Sequence, residues 1–205
     1  MPKIALLDYQ AGNLHSVSKA LERAGGDVEI ISRPVDMKKF SAIVLPGVGN
    51  FGDCAKKCRE HKFDHLVLNW IDCGKPFLGI CVGLQLLLEE SEEAPGVPGL
   101  ALFNGKVKLF KPEEHSLKVP QMGWNQVLQK KKSPLFNGIS DNSYFYFVHS
   151  YYVAPEDEKI IVGETEYGIK YCSFIQKENV YATQFHPEKS QKNGIKFLEN
   201  FVKIC

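Results

Sequence analysis

The length, composition and charge of this chain indicate a single globular domain. It has 205 residues, 44% hydrophobic and 24% charged, with a formal net charge of +1. We therefore expect one domain spanning residues 1–205. The small charge gives no overall attraction to nucleic acid or to an anionic membrane, so neither is an expected partner. No apolar stretch approaches the ~20 residues that span a bilayer. Asp8 interrupts the short apolar N-terminus, which does not resemble a signal peptide, so we expect a cytoplasmic protein.

Strands and helices are predicted to alternate in the first half of the sequence. Apolar runs predict strands at 3–8, 28–31, 42–45 and 77–80, and amphipathic stretches predict helices at 14–24, 53–60 and 63–72. Asn13 is suited to cap the first helix. This alternation favours a parallel sheet with helices on both faces.

The second half predicts a different arrangement. Short strands joined by turn sequences, typical of antiparallel hairpins, precede a final helix. The strands are predicted at 107–110, 125–128, 144–149, 160–165, 171–176 and 180–184, and the helix at 190–204. We therefore expect an α/β fold, with a mostly parallel open sheet flanked by helices and an added antiparallel β portion.

Three loops of interest follow predicted parallel strands. They comprise residues 8–13, residues 46–52 and the turn at Cys81. In open parallel sheets, ligands bind outside the carboxyl ends of the strands. The three loops therefore predict a functional site at one edge of the sheet.

Cys81 lies in the pattern of a reactive nucleophile. It stands between Gly79 and Gly83, after a predicted strand and before an apolar, helix-like run at 84–88. This pattern is typical of a nucleophile elbow, where side chains at the flanking glycines would clash. A helix N-terminus and a nearby imidazolium would both favour the thiolate, which is the attacking form of cysteine.

The other cysteines indicate neither a metal site nor a disulfide framework. No Cys-x-x-Cys pair occurs, and no His or Cys cluster supplies further metal ligands. We expect reduced thiols, no metal and no cofactor. The five residues concerned are Cys54, Cys58, Cys73, Cys172 and Cys205.

A candidate base and carboxylate occur far downstream of Cys81. His186 and Glu188 flank Pro187, which ends the preceding strand and presents both at a bend. The carboxylate would orient the imidazole and stabilise its charged form. Singly, these residues fit a buried cysteine and an ordinary turn. Their joint occurrence predicts a catalytic triad of Cys81, His186 and Glu188.

Attack of a nucleophile such as Cys81 on a carbonyl carbon produces a tetrahedral intermediate, whose oxyanion needs backbone N–H donors. Val82, directly after Cys81, is one candidate. The second donor is expected from Gly47, Val48 and Gly49, because glycines let a peptide turn its N–H inward. A phosphate site is the alternative, but this loop lacks the Gly-Lys-Ser/Thr ending of a P-loop and the third glycine of a dinucleotide fingerprint.

The segment 79–85, Gly-Ile-Cys-Val-Gly-Leu-Gln, resembles the G-x-C-x-G-x-Q motif of the class I glutamine amidotransferases. Blocks at 8–14, 46–49, 122–125 and 147–151 resemble further motifs of that family in the same order. The resemblance spans nearly the whole chain. Gln10 is a departure, since the family motif leads us to expect glycine there.

This resemblance implies hydrolysis of glutamine to glutamate and ammonia, with Cys81 as nucleophile, His186 as base and Glu188 as its orienting partner. It is closest to members that pass ammonia to a (β/α)₈-barrel cyclase subunit in histidine biosynthesis, which implies a heterodimer. It also implies that Gln85, Ser150 and Tyr151 hold glutamine and that Asn13 and Trp124 lie near the partner.

The loop at 46–49 carries one more expectation. It reads Pro-Gly-Val-Gly, where many relatives carry Pro-Gly-Gly. If the Val48 N–H points away from the thiol at rest, the oxyanion hole is incomplete. The isolated chain would then be a poor glutaminase until its partner and the partner's ligand activate it.

Four alternative functions remain open at this point. A paralogous subunit could feed ammonia to another synthase, for instance in surface-sugar amidination. A glutaminase for pyridoxal phosphate synthesis is disfavoured because the chain has no P-G-G-E-S loop. The others are a non-catalytic binding subunit and a free-standing cysteine hydrolase acting on esters or peptides.

Overall fold

The computed structural model describes residues 1–111 and 117–205. The strands are β1 (Lys3–Leu7), β2 (Asp27–Ile31), β3 (Ala42–Gly47), β4 (Phe77–Cys81), β5 (Glu90–Ser91), β6 (Gly105–Leu109), β7 (Gln121–Gln129), β8 (Ser143–His149), β9 (Tyr151–Pro155), β10 (Ile161–Glu166), β11 (Lys170–Lys177) and β12 (Val180–Thr183). The α-helices are α1 (Leu14–Arg23), α2 (Phe51–Glu60), α3 (Phe63–Asp72), α4 (Val82–Gln85) and α5 (Gln191–Ile204).

The main sheet is parallel in one half and antiparallel in the other. Its strand order is β2-β1-β3-β4-β12-β11-β10-β7-β8. The pairs from β2 to β12 are parallel, and those from β12 to β8 are antiparallel. Helices α1 and α5 pack together, as do α2 and α3. The predicted α/β fold with an added antiparallel β portion is confirmed.

Strand β12 joins the two halves of the sheet. It is antiparallel to β11, as its hairpin turn predicts, and parallel to β4. In the second pairing Thr183 lies opposite Ile80. Cys81 and the segment after β12 therefore emerge at the same edge. The sequence predicted both strands but did not reveal that they are neighbours.

Two local predictions differ from the structure. The helix predicted through residue 88 ends at Gln85. The carbonyls of Leu86, Leu87 and Leu88 accept hydrogen bonds from the segment 100–103, so this packing replaces further helical bonds. Asn13 does occupy the N-cap position of α1, but its side chain makes no capping hydrogen bond.

The hydrophobic core extends to the edge of the sheet at which β4 and β12 end. The rings of Phe145, Phe185 and Phe197 pack together, and each is fully buried. Phe185 directly precedes His186, so aromatic packing fixes the chain just before the candidate base. No helix within 1–111 and 117–205 is long and apolar enough to cross a membrane.

We expect Asn179→Ala to destabilise the chain by about 1–3 kcal/mol, because it removes two hydrogen bonds and the side-chain donor of the Lys75 carbonyl. Asn179 precedes β12, and its Nδ2 donates to the carbonyls of Ile71 at 3.0 Å and Lys75 at 2.7 Å. Urea unfolding measures the loss. The matched control is Asn104→Ala, an exposed site that should change stability by less than about 0.5 kcal/mol. Equal effects at both sites would contradict this role.

Candidate active site

Cys81 occupies a strained turn between β4 and α4. Its backbone angles are φ 55° and ψ −109°, in a region that a non-glycine residue rarely adopts. A Cβ at Gly79 would lie 2.8 Å from the Gly83 carbonyl oxygen, and one at Gly83 would clash with the Leu45 carbonyl oxygen. The flanking glycines are therefore required by close backbone packing, as the elbow pattern predicts.

His186 and Glu188 meet at the same edge of the sheet. The imidazole Nδ1 lies 2.8 Å from Glu188 Oε1, and both side chains are almost fully buried. The imidazole Nε2 is also buried and has no hydrogen-bond partner within the described part of the chain. Cys81 and His186 line one cleft. The glutamate thus holds one ring nitrogen and leaves the other available for chemistry.

The surroundings of His186 favour its charged form. Burial lowers the pKa of the imidazole, but the Cys81 sulfur and the Glu188 carboxylate outweigh burial and raise the pKa to about 10. Opposite charges within a few ångströms produce this kind of shift. The arrangement suits an imidazolium placed between a sulfur and a carboxylate.

The cleft has a volume of about 290 Å³. Glu93 places a carboxylate in its lining, and Glu93 Oε2 also accepts a hydrogen bond from the Phe51 N–H at 2.7 Å. This size is near the lower end of the ~300–1,000 Å³ typical of ligand pockets. The cleft therefore suits a small ligand such as an amino acid. The lining residues are Val48, Gly49, Cys81, Val82, Gln85, Glu93, Pro120, Val148, His149, Ser150, Tyr151 and His186.

The candidate oxyanion loop holds one donor away from the cleft. The Val48 N–H donates to the Ala11 carbonyl at 3.2 Å, so it is already occupied. Gly47 is tightly enclosed, since a Cβ there would lie 2.6 Å from the Tyr9 hydroxyl. Gly49 has φ +104°, a conformation that favours glycine. Val82 lines the cleft directly after Cys81.

The loop that carries Ala11 is itself braced. Gln10 has φ 61°, so the position where the family motif led us to expect glycine does adopt a left-handed backbone. Its N–H donates to Asp8 Oδ1 at 2.9 Å, and Lys57 Nζ donates to its carbonyl at 3.0 Å. These two contacts fix the backbone directly before Ala11, whose carbonyl accepts the hydrogen bond from Val48.

The side chain of Gln85 is engaged by the protein itself. Its Nε2 donates to the Tyr151 carbonyl at 3.3 Å and to Gln184 Oε1 at 3.2 Å. Gln184 Nε2 in turn lies 3.6 Å from the Cys81 sulfur. The sequence interpretation missed Gln184 as a site residue. A polar residue at the end of the predicted apolar strand 180–184, two positions before His186, was the available signal.

The segment 149–151 forms one wall of the cleft. The Tyr151 carbonyl accepts a hydrogen bond from His149 Nδ1 at 2.8 Å, and the Ser150 carbonyl accepts one from the Phe110 N–H at 2.9 Å. Burial lowers the pKa of His149 to about 4, so its imidazole stays neutral. Ser150 and Tyr151 thus lie in the cleft, as candidate substrate-binding residues should.

Asn13 and Trp124 are not among the residues that line the cleft. Trp124 lies on β7, where it is 44% exposed and packs edge-on against Tyr146. Met122 and Tyr144 are exposed nearby on β7 and β8, at 65% and 52%. We call Met122, Trp124 and Tyr144 the hairpin patch. It is an apolar surface beside the cleft, since Met122 pairs with the cleft residue Val148.

We expect the chain to lose stability in acid partly through His149. Its pKa in the folded state, about 4, lies below the ~6.5 of an unfolded histidine. Its contribution is therefore complete above pH ~6.5 and is lost as the pH falls through about 4. Urea unfolding across this range should show a shallower decline for His149→Gln than for the unchanged chain. Parallel declines would contradict the prediction.

Comparisons with known proteins give sequence matches over nearly the whole chain. The sequence profile of the family "Glutamine amidotransferase class-I" matches residues 5–205. Imidazole glycerol phosphate synthase subunit HisH 1 of Methanococcus maripaludis is 50% identical over 98% of this chain and 99% of the relative. Imidazole glycerol phosphate synthase subunit HisH of Acinetobacter baylyi is also 50% identical, over 99% of this chain and 98% of the relative.

Solved structures show the same fold at low sequence identity. The structure titled "Structure of PurLQS from Thermotoga maritima" has a TM-score of 0.79 at 18% identity, covering 98% of each chain. A second, titled "Crystal structure of glutamine amidotransferase", has a TM-score of 0.75 at 16% identity, covering 98% of this chain and 97% of the other.

Proposed function

The chain belongs to the class I glutamine amidotransferase family, and from this premise we propose that it is the glutaminase subunit of an imidazole glycerol phosphate synthase. It is an enzyme that hydrolyses glutamine to glutamate and ammonia. The relatives named as subunits of that synthase, half identical over nearly the full chain, support the assignment. The observation that carries the chemistry is the buried His186–Glu188 pair in one cleft with Cys81.

In the proposed reaction, the Cys81 thiolate attacks the side-chain carboxamide carbon of glutamine. His186, already charged and held by Glu188, protonates the departing nitrogen, which leaves as ammonia. The resulting thioester is hydrolysed by water, with neutral His186 accepting the proton. Glutamate and the free thiolate are regenerated, so no external reactant besides water is consumed.

We assign glutamine binding to the wall formed by Ser150 and Tyr151, supported by their position in the cleft. Glu93 adds a carboxylate that can pair with the α-ammonium group of the substrate. Gln85 supports this wall from behind by binding the Tyr151 carbonyl. Its amide is therefore proposed to shape the site by way of the backbone.

The oxyanion donors are proposed to be the Val82 N–H and an N–H from the Gly47, Val48 and Gly49 segment. In the resting chain the Val48 N–H is bound to the Ala11 carbonyl. Rotation of the Gly47–Val48 peptide would release it towards Cys81. Gly47 borders this peptide and has no Cβ, so its side of the peptide offers no side-chain obstacle to the rotation.

The proposed partner is the cyclase subunit HisF, a (β/α)₈ barrel that receives the ammonia within a heterodimer. The hairpin patch, with Trp124 at its centre, supplies exposed apolar surface beside the cleft. Trp124 is therefore proposed as an interface residue. Asn13 is proposed there too, because its loop carries the carbonyl that holds Val48. We further propose a cytoplasmic location and one amidotransferase domain over residues 1–205.

We expect the chain plus the cyclase to form imidazole glycerol phosphate with either glutamine or ammonia as nitrogen donor. Cys81→Ala should abolish the glutamine-dependent reaction and leave the ammonia-dependent one unchanged, because only the first needs the thiol. Product formation with each donor measures this. Glutamine-dependent synthesis by Cys81→Ala would refute the role of the thiol. Failure with the cyclase but success with a sugar-amidinating synthase would reassign the partner.

We expect the isolated chain to hydrolyse glutamine slowly, because its Val48 donor is occupied. One missing oxyanion donor costs about 100–1,000-fold in rate, so the cyclase with its ligand should raise kcat by that order. Glutamate release is measured for the chain alone, with cyclase, and with cyclase plus ligand. A fully active isolated chain would show that the resting loop is already competent.

A further inference from the structure

A chain of hydrogen bonds links the wall of the cleft to the nucleophile. It begins at the Tyr151 carbonyl, passes through the amide groups of Gln85 and Gln184, and ends at the Cys81 sulfur. Gln184 is fully buried, at 0% exposure, and Gln85 is 3% exposed. Buried amides are costly unless their polar atoms are paired. Both amides are paired here within one continuous chain of hydrogen bonds, which fixes their positions.

The direction of this chain is fixed by an atom that can only accept. The Tyr151 carbonyl must receive an N–H, which places the NH₂ group of Gln85 next to it. The same nitrogen donates its second hydrogen to Gln184, so the oxygen of Gln184 faces Gln85. The NH₂ group of Gln184 is therefore left facing Cys81. Gln184 presents a donor, not an acceptor, to the sulfur.

We propose that Gln184 is a donor to the Cys81 thiolate and that Gln85 holds it in this orientation. The proposal rests on the proposed function, because it assigns a further residue to the same nucleophile. The charge on sulfur thereby gains an N–H donor in addition to the nearby imidazole of His186. Hydrogen bonds to a charged group are stronger than those to a neutral one, so the thiolate gains more than the thiol.

This arrangement addresses a weakness of the turn at Cys81. Helix α4 has only 4 residues, so its N-terminus offers little of the dipole that a full helix would supply. The sequence pattern had assigned part of the thiolate's stabilisation to that helix. The side-chain amide of Gln184, directly after the neighbouring parallel strand β12, supplies a localised donor instead.

The test measures the reactivity of the thiol without glutamine or a partner. The rate of Cys81 alkylation by iodoacetamide at neutral pH is followed by mass spectrometry of the peptide that contains Cys81. We expect Gln184→Leu to lower this rate about threefold, because an about tenfold loss of thiolate stabilisation is partly offset by the greater nucleophilicity of a more basic sulfur. Gln184→Glu should lower it further, because a carboxylate replaces the donor while still accepting from Gln85.

Gln176→Leu is the matched control, since Gln176 lies on the adjoining strand β11 and outside the lining of the cleft. Its alkylation rate should equal that of the unchanged chain. With the cyclase present, Gln184→Leu should lower kcat by a larger factor than it raises KM, because the nucleophile is affected directly and the Tyr151 wall only through Gln85. Circular dichroism verifies folding, and Gln184→Glu provides the answer if Gln184→Leu does not fold.

The outcomes separate this proposal from the proposed function. Unchanged alkylation in a folded Gln184 variant would overturn the donor role, even with normal glutaminase activity in the parent chain. Slower Cys81 alkylation in the Gln184 variants would support the donor role. If the parent chain also showed no glutaminase activity under any condition, the proposed reaction alone would be rejected.

Discussion

The parallel pairing of β4 with β12 is the constraint on which the rest of the site depends. Cys81 ends one strand, and His186 follows the other by a few residues. Over a hundred positions of sequence separate them, yet adjacent parallel strands must deliver both to one edge. Aromatic packing around Phe185 then fixes the segment that follows β12. Neither a metal nor a hinge is needed to bring the sulfur and the imidazole together.

Local sequence patterns predicted the parts of the site that depend on neighbouring residues. The glycines around Cys81 follow from steric requirements within a single turn, and the structure shows the clashes that they avoid. The short spacing of His186 and Glu188 likewise predicted their contact. Such features can be inferred from one sequence because the interacting groups lie within a few residues of one another.

Features that depend on distant segments were not predictable in the same way. Periodicity does not reveal that β12 pairs with β4, and nothing in the local sequence of Gln184 identifies Cys81 as its neighbour. The end of α4 at Gln85 is a similar case. The segment 100–103 takes the carbonyls of the following leucines, so tertiary packing overrides helix propensity. The resemblance to a family predicted Gln85 as a glutamine-binding residue, and Gln85 does line the cleft, but its contacts with Tyr151 and Gln184 could not be inferred from the motif.

The occupied Val48 N–H has a consequence for the idle enzyme. Withholding one oxyanion donor suppresses the step in which negative charge builds up on an oxygen. It does not lower the reactivity of the Cys81 sulfur, because the neighbouring His186 and Gln184 stay in place. A chain without its partner would thus hydrolyse glutamine only slowly and yet react readily with small electrophiles. Cells that produce this chain in excess of its partner would therefore contain molecules whose Cys81 is open to modification by such electrophiles.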